Sequence, residues 1–248
     1  SFRTMDALER LGGETWFRLG DLDLATHLRR SELLASGRTP SEVTAELAQR
    51  LGITGVRIVP MTDAPVETWV RLADSGEWVH FQEYFVHRRT DVAIDGVDVR
   101  GLSQAAAAPG VCEALEAADV IALCPSNPFV SIGPILQTPG VRAAIDAARR
   151  RGAVVAGVSP LIGGATIKGP AARMLTEFGY EPSALGAATV YAGLLDAWLI
   201  DPVDAHLAAG IEALGARPLV VDALMRGRRG EARLARALLS KLAFRPRS

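Results

Sequence analysis

Short apolar runs alternate with amphipathic stretches in the second half of the chain. The stretches with helical spacing lie at 139–151, 169–178 and 202–214. The apolar runs, each bounded by turn or polar residues, are found at 119–124, 153–159, 197–201 and 218–222. Continuous apolar strands separated by helices are typical of a parallel sheet that is covered on both faces. The second half therefore predicts an α/β fold with an open, mostly parallel, Rossmann-like sheet.

The first half has a different pattern, in which helices come before short strands. We expect a strand at 56–59 and a β-hairpin whose strands, 66–72 and 78–86, are joined by a turn at Gly76. The predicted helices lie near 4–11, 21–36 and 40–51. We interpret residues 21–108 as a helical and β-hairpin cap inserted into an α/β core formed by 1–20 and 109–248.

Composition and charge limit the class of partner. The 248 residues carry a net charge of −1, whereas nucleic acids and anionic membranes favour strongly basic surfaces. No run of about 18 uncharged apolar residues is present, as a membrane span would require. The chain begins at Ser1 with an amphipathic pattern and shows no signal peptide. We expect a cytoplasmic protein with small-molecule substrates, whose sequence either lost an upstream segment or is a fragment.

Polar side chains follow the apolar run at 119–124. The sequence CPSNPFVSI begins at Cys124, and its two prolines lack the backbone N–H that would let a strand continue. Ser126, Asn127 and Ser131 bring hydroxyl and amide groups to the carboxyl end of that strand, where phosphate oxygens would find donors. The alternative is a proline-rich turn followed by an ordinary helix cap.

The next apolar run ends in a similar way. SPLIGGATIKGP places Ser159, the paired glycines Gly163 and Gly164, and Lys168 after strand 153–159. Glycines let backbone amides approach an anion, and an ammonium group adds a point charge. The order of residues is not that of a Walker loop, and a purely structural loop is the alternative. Because adjacent parallel strands point the same way, both loops should line one crevice.

Three residues of the first half are further candidates. Arg18 lies in the loop before a helix, where a guanidinium can hold an anion or stack on a flat ring. Asp63 follows the predicted strand 56–59 and could bind a metal or a nucleobase, although an acid that starts a turn is equally compatible. Gln82 interrupts the aromatic sequence WVHFQEYFVH. We find no Ser-His-Asp triad, zinc ligand set or GxGxxG loop.

Five separated motifs carry a resemblance to a known family. They are WFRLGDLDLATHLRR, VPMTDAPVETWV, FQEYFVHRR, CPSNPFVSIGPIL and VSPLIGGATIKGPAARML. Together and in this order they resemble the 2-phospho-L-lactate transferase family, whose actinobacterial branch consists of phosphoenolpyruvate transferases. The resemblance implies transfer of a phospholactyl or phosphoenolpyruvyl group from a guanosine diphosphate ester to the ribityl hydroxyl of 8-hydroxy-5-deazariboflavin. GMP would be released, Mg²⁺ would assist, and the product would serve coenzyme F420 biosynthesis.

The resemblance also implies residue roles. Arg18, Asp63 and Gln82 would contact the deazaflavin, while the metal ligands would lie upstream of Ser1, together with a Gly-rich first βα loop. We therefore expect no metal ligand in this chain, no activity from this polypeptide alone, and a homodimer. The donor's phosphates or nucleotide would be bound by Ser126, Asn127, Ser131, Ser159, Gly163, Gly164 and Lys168.

Two other functions remain open from the sequence. One is a regulatory, nucleotide-sugar-binding relative of the same superfamily, and the other is an inactive truncated remnant. The sequence decides neither the lactyl or enolpyruvyl nature of the donor nor which residue deprotonates the acceptor alcohol.

Overall fold

The computed structural model of the protein describes residues 1–166 and 169–242. The described strands are β1 Glu67–Leu72, β2 Trp78–His80, β3 Ile94–Arg100, β4 Val120–Leu123, β5 Val154–Val158, β6 Leu161–Ile162, β7 Ala165–Thr166, β8 Ala197–Ile200 and β9 Arg217–Val220. The described α-helices are α1 Arg3–Arg10, α2 Asp21–Ala35, α3 Pro40–Arg50, α4 Val111–Ala117, α5 Gly133–Gln137, α6 Val141–Arg150, α7 Ala171–Glu177, α8 Ala184–Val190, α9 Ala208–Ala213 and α10 Gly227–Lys241.

A four-stranded parallel sheet forms the centre of the second half, in the order β4-β5-β8-β9. Val120 pairs with Val154 at the start of β4, and Leu123 with Gly157 at its end, so β4 and β5 run parallel. The α/β class and the parallel arrangement predicted from the apolar runs are thereby confirmed. The carboxyl ends of β4 and β5 lie side by side, which is where the two candidate loops begin.

Both faces of this sheet are buried, as the continuous apolar strands require. On one face Trp198, Val155 and Ile121 pack with α4, α6 and α8. On the other, Leu199 and Ala156 pack with Leu234 and Leu238 of α10. A Cβ at Gly157 would lie 2.3 Å from the Trp198 ring, so only glycine fits there. The long helix α10 was not predicted, although it supplies most of this second face.

A second sheet lies in the first half, and it differs from the expected hairpin. β1 pairs antiparallel with β2 and with β3, giving the order β2-β1-β3. The strand predicted at 78–86 ends at His80, because the backbone turns helical from residue 81 and forms a π-helix over Glu83–His87. The edge strand β3 was missed, since IDGVDVR mixes acids and a glycine with its apolar residues.

The three N-terminal helices were predicted close to their observed bounds. α3 begins at a capping box, in which Thr39 and Glu42 satisfy each other's backbone N–H groups, with Pro40 at the first helical position. The strand predicted at 56–59 is wrong, since these residues form no strand. That prediction rested only on the β-branched residues Val56, Ile58 and Val59. Within the part of the chain that the structure describes, no helix is long and apolar enough to cross a bilayer.

Candidate functional site

An open cavity of about 450 Å³ lies at the carboxyl ends of β4 and β5. We call it the crevice. One side is polar and comes from the loops after these two strands, and the other is aromatic and comes from the helical segment 81–87. Its lining consists of Phe81, Phe85, Pro125, Ser126, Asn127, Val130, Ser131, Ser159, Pro160, Ile162, Gly169, Pro170, Ala171, Ala223, Met225 and Glu231. The structure thus brings Ser126, Asn127, Ser131 and Ser159 together, as adjacent parallel strands predict.

Asn127 organises the loop after β4. Its Oδ1 accepts hydrogen bonds from the backbone N–H of Phe129 at 2.9 Å and of Val130 at 3.3 Å, which caps the helical turn Pro128–Ile132. Its Nδ2 lies 3.1 Å from Met174 Sδ. The ordinary helix cap that was the alternative interpretation is therefore present, and Asn127 provides it.

The hydroxyls of Ser126 and Ser131 differ from the other polar groups of the crevice. Both side chains are half-buried, and neither hydroxyl hydrogen-bonds another described residue. By contrast, Ser159 Oγ donates to Leu161 O at 2.8 Å and accepts from Leu161 N at 3.1 Å, so it holds the turn into β6. Ser126 and Ser131 are therefore the two hydroxyls whose donors are available to a bound anion.

The glycine loop between β6 and β7 is held by the buried carboxylate of Asp204. Gly163 N donates to both carboxylate oxygens of Asp204, at 3.1 and 3.0 Å, and Asp204 is only 2% exposed. The N–H of Gly163 is thus already bound within the protein. Gly163 and Gly164 have φ values of +59° and +77°, in the left-handed region that glycine adopts without strain. Neither glycine lines the crevice, and Lys168 lies outside the described residues.

The sequence suggested that aromatic residues of the cap face a flat ring, but it did not single out Phe81 and Phe85 as lining the crevice. The rings of Phe81 and Phe85 stack with centroids 5.7 Å apart and an interplanar angle of 5°. Their spacing of four residues places them on one face of a helical turn. In the strand that we predicted for this segment, Phe81 and Phe85 would also lie on one face, but Glu83 would lie between them. The spacing was therefore visible in the sequence, and the error lay in the type of element.

Glu231 of α10 is the one charged side chain among the described residues that line the crevice. It was not among the sequence candidates, because α10 itself was not predicted. No described group of three or more His, Cys, Asp or Glu residues could hold a metal ion. A single carboxylate does not make a Mg²⁺ site, so the described residues do not fit this ion.

The three candidates of the first half do not line the crevice. Arg18 donates to Asp6 Oδ1 at 2.6 Å and lies 3.8 Å from Glu9, with its guanidinium over the Phe2 ring. Asp63 Oδ1 accepts from both the backbone N and the Oγ of Ser41, each at 2.7 Å, at the start of α3. This contact supports a structural role for Asp63, and its role towards a deazaflavin stays a prediction.

Gln82 lies in the helical segment that carries the aromatic side of the crevice. Its side chain is exposed, and its backbone N donates to His80 Nδ1 at 3.2 Å. Trp16 stacks on His87 of the same segment, with centroids 5.2 Å apart, which brings the loop of Arg18 beside it. The loop of Arg18 and Gln82 therefore both adjoin the segment 81–87, without lining the cavity.

A buried tyrosine supports the aromatic side from behind. Tyr84 is fully buried among Val70, Leu72 and Met174, and its hydroxyl has no hydrogen-bond partner within the described chain. Burial, helped by the nearby charge of Glu177, raises the pKa of Tyr84 to about 12. Glu177 Oε2 is likewise buried without a partner among the described residues. The hydroxyl therefore stays neutral at physiological pH.

Comparison with known proteins gives a consistent result. The family model described as 2-phospho-L-lactate transferase CofD matches residues 3–239. A phosphoenolpyruvate transferase from Kitasatospora aureofaciens is 45% identical over 231 residues, which are 92% of this chain and 71% of that protein. A 2-phospho-L-lactate transferase from Methanosarcina acetivorans is 40% identical over 225 residues, covering 91% of this chain and 71% of that protein.

The fold also has a relative among solved structures. The crystal structure of a member of the upf0052 family from Bacillus halodurans matches with a TM-score of 0.59 at 16% sequence identity. The match covers 85% of this chain and 70% of that one. At this identity it shows a shared fold and carries no statement about activity.

Proposed function

The chain belongs to the 2-phospho-L-lactate transferase family, and we propose that it transfers a phosphoenolpyruvyl or phospholactyl group to a deazaflavin. The donor is a guanosine diphosphate ester and the acceptor is the ribityl hydroxyl of 8-hydroxy-5-deazariboflavin. The reaction serves coenzyme F420 biosynthesis and releases GMP.

The observation that carries this proposal is a pair of crevice hydroxyls that hydrogen-bond no other described residue. Ser126 and Ser131 offer donors at the carboxyl ends of parallel strands, where such sheets bind their ligands. The stacked rings of Phe81 and Phe85 face the same space. The diphosphate of the donor matches the polar side, since anions take hydroxyl donors, and the flat deazaflavin ring of the acceptor matches the aromatic side, since aromatic rings stack on phenylalanine.

The transfer needs positioning more than a protein nucleophile. The ribityl oxygen forms a new bond to the phosphorus that bears the lactyl or enolpyruvyl oxygen, while the bond from that phosphorus to the bridging oxygen breaks. GMP leaves with the bridging oxygen, and the hydroxyl proton passes to solvent or to a base that the sequence does not identify. In-line phosphoryl chemistry of this kind depends on alignment and charge stabilisation. Ser126 and Ser131 would hold the diphosphate, and Lys168 would add a positive charge.

The donor is the finer point of the proposal. We favour the enolpyruvyl ester, because the identity to an actinobacterial phosphoenolpyruvate transferase exceeds that to the archaeal lactate enzyme. The protein expressed from its complete gene should be incubated with the deazaflavin alcohol, Mg²⁺ and each ester separately. GMP release that requires the acceptor supports the transfer, and a faster rate with the enolpyruvyl ester supports the donor.

The competing functions give different results in the same assay. Tight binding of a guanosine diphosphate ester without GMP release would indicate a nucleotide-binding relative. Neither binding nor release would indicate an inactive remnant. Either result contradicts the proposed transfer, and the binding measurement separates the two.

Two further properties are proposed on the resemblance alone. Mg²⁺ dependence is tested by removing metal with EDTA and titrating Mg²⁺ back, with loss and recovery of GMP release expected. A homodimer is tested by sedimentation velocity, where a mass of about twice that of one chain is expected. A monomer, or activity that survives EDTA, would contradict the respective proposal.

A further inference from the structure

Arg173 on α7 connects three separate groups. Its Nε donates to Glu177 Oε1 at 2.7 Å, one turn further along the helix. One terminal nitrogen donates to the carbonyl oxygen of Thr90, and the other lies 3.5 Å from the carbonyl oxygen of Asp91. The side chain of Glu177 is only 11% exposed and that of Arg173 is 38% exposed, so the carboxylate is largely shielded from water while the guanidinium is partly open to it. Arg173 therefore ties α7 to the turn at residues 88–91.

That turn has an unusual backbone conformation. Arg89 and Thr90 have φ values of +52° and +58°, and they are the only non-glycine residues with positive φ within the described chain. Side chains larger than glycine disfavour this region, so two such residues in succession need support from their surroundings. Arg173 provides support at the second of them, because it binds the carbonyl oxygen of Thr90.

The turn follows directly on the aromatic side of the crevice. Thr90 N donates to Tyr84 O at 3.0 Å, and Arg88 N to Glu83 O at 2.9 Å, so the turn closes the helical segment 81–87. Phe81 and Phe85 of that segment line the crevice. A displacement of the turn would move these two rings with it.

The same helix contacts the polar side of the crevice. Ala171 lines the cavity, and Met174 Sδ accepts from Asn127 Nδ2 at 3.1 Å. α7 therefore contacts both sides, through Met174 to the loop after β4 and through Arg173 to the turn that follows the aromatic segment.

We propose that Arg173 is a positioning residue for the transfer reaction, which holds Phe81 and Phe85 at a fixed distance from the polar side of the crevice. This rests on the proposed function, and it adds a residue that contacts neither substrate. Arginine suits the role because its planar fork reaches Glu177 and the carbonyl oxygens of the turn at once. A lysine at this position would reach one of these acceptors at a time.

The variants are Arg173→Met, Arg173→Lys and a matched control. Methionine keeps much of the apolar stem and removes every donor, while lysine keeps the charge. The control is Arg142→Met on α6, which breaks another pair of residues four apart, Arg142 and Asp146 at 3.5 Å. Arg142 is exposed and lies away from the crevice lining.

The first readout separates positioning from general damage. In Arg173→Met we expect the KM for the deazaflavin alcohol to rise about tenfold, the size of one lost charge-assisted contact, with kcat changed less than threefold. Arg173→Lys should recover part of the KM, and Arg142→Met should match the unmodified protein. An unchanged KM in Arg173→Met would overturn the proposal.

The second readout needs no activity, so it distinguishes failure of this proposal from failure of the proposed function. Amide hydrogen exchange of the unliganded protein is compared at residues 83–91 and at β5. In Arg173→Met, exchange at 83–91 should accelerate about tenfold relative to β5, with a smaller change in Arg173→Lys and none in Arg142→Met. Equal acceleration at both places would mean general destabilisation and would contradict the positioning role, even if GMP release is observed.

Discussion

The sheet core, residues 109–242, and the helical region, residues 1–58, are stabilised in different ways. All four residues of β8 are buried, and both faces of the parallel sheet carry continuous apolar clusters. In the helical region, α1, α2 and α3 each bury one residue, namely Met5, Leu33 and Val43. Several of its leucines are open to solvent, with Leu11 and Leu22 each 84% exposed.

Charge takes the place of burial in the helical region. Glu46 of α3 pairs with Arg29 of α2 at 3.0 Å, with Arg50 at 2.9 Å, and with Arg38. Ion pairs near the surface contribute little to the free energy of unfolding, whereas each buried leucine contributes a few kcal/mol. Burial in the sheet core therefore supplies most of the free energy of unfolding. The smaller contribution of the helical region comes from its ion pairs and so depends on pH.

The largest expected effect is the loss of stability when a leucine of the sheet core is shortened, compared with the same change in the helical region. Leu199→Ala in β8 removes a side chain that is 0% exposed and should lower the free energy of unfolding by about 2–5 kcal/mol. Leu22→Ala in α2, the matched control, should change it by less than about 0.5 kcal/mol. Urea unfolding of both variants measures the difference. Equal losses would break the comparison between the regions.

Alkaline pH should lower the free energy of unfolding, because it favours ionisation of tyrosines that are buried in the folded protein. The pKa of Tyr84 is raised to about 12 by burial, and burial also raises the pKa of Tyr191 in the sheet core. Their neutral forms are favoured by folding, so this stability is complete below about pH 10 and is lost as the pH rises through the folded pKa. For Tyr84 a shift of this size corresponds to about 2–3 kcal/mol.

Urea unfolding between pH 9 and 12 tests this expectation for Tyr84. The Tyr84→Phe variant should show a smaller loss at high pH, because it has no hydroxyl to ionise. At pH 7 it should be as stable as the unmodified protein or slightly more so, since the hydroxyl is buried without a described partner. Identical alkaline curves would contradict the assigned pKa.

Asp204 is a charged exception within the sheet core. Asp204→Ala removes the carboxylate that accepts from Gly163 N and should cost about 1–2 kcal/mol of stability, since Gly163 is exposed and water can replace part of the contact. Asp146→Ala, at a half-buried residue whose side chain is 41% exposed, is the control and should cost less. Thermal unfolding of both variants gives the comparison, and equal melting temperatures would contradict it.

The smallest expected effect is an acid response of the helical region. Hydrogen bonds from Arg50, Arg38 and Arg29 lower the pKa of Glu46 to about 2. Its contribution is therefore present above about pH 4.5, the ordinary value, and is lost as the pH falls towards 2. Glu46→Gln should show a weaker dependence of stability on pH over this range. The same dependence in both proteins would remove Glu46 from the account of this region.

The elements of the sheet core could be predicted because burial on both faces leaves a continuous apolar signal. β4, β5 and β8 each lie within a predicted run, and β9 begins at Arg217, one residue before the run predicted at 218–222. The segment 81–87 could not be predicted in this way, because aromatic residues favour strands when judged by composition. Its helical turn is decided by tertiary contacts, among them Tyr84 packing on Met174.

The candidate site was predictable to a similar extent. That Ser126, Asn127, Ser131 and Ser159 lie around one cavity was predictable, because parallel strands bring their carboxyl ends to one edge, and their role in binding a ligand stays a prediction. The sequence did not show which donors of the two loops are already bound within the protein. The N–H of Gly163, for example, is bound by Asp204, which lies 41 residues away in sequence. Phe85 was missed because its segment was read as a strand, and Glu231 because α10 was not predicted, while Met225 lies in the connection between β9 and α10.

The most direct test of the account is the affinity of GDP for the crevice, measured by titration calorimetry. Asn127→Asp keeps the oxygen that caps the turn at Phe129 and Val130, and adds a negative charge where the diphosphate should lie. Gln104→Glu adds the same charge at an exposed residue that does not line the crevice. We predict at least a tenfold higher Kd for Asn127→Asp, from charge repulsion, and an unchanged Kd for Gln104→Glu. Equal affinities in the two variants would contradict the placement of the donor in this crevice.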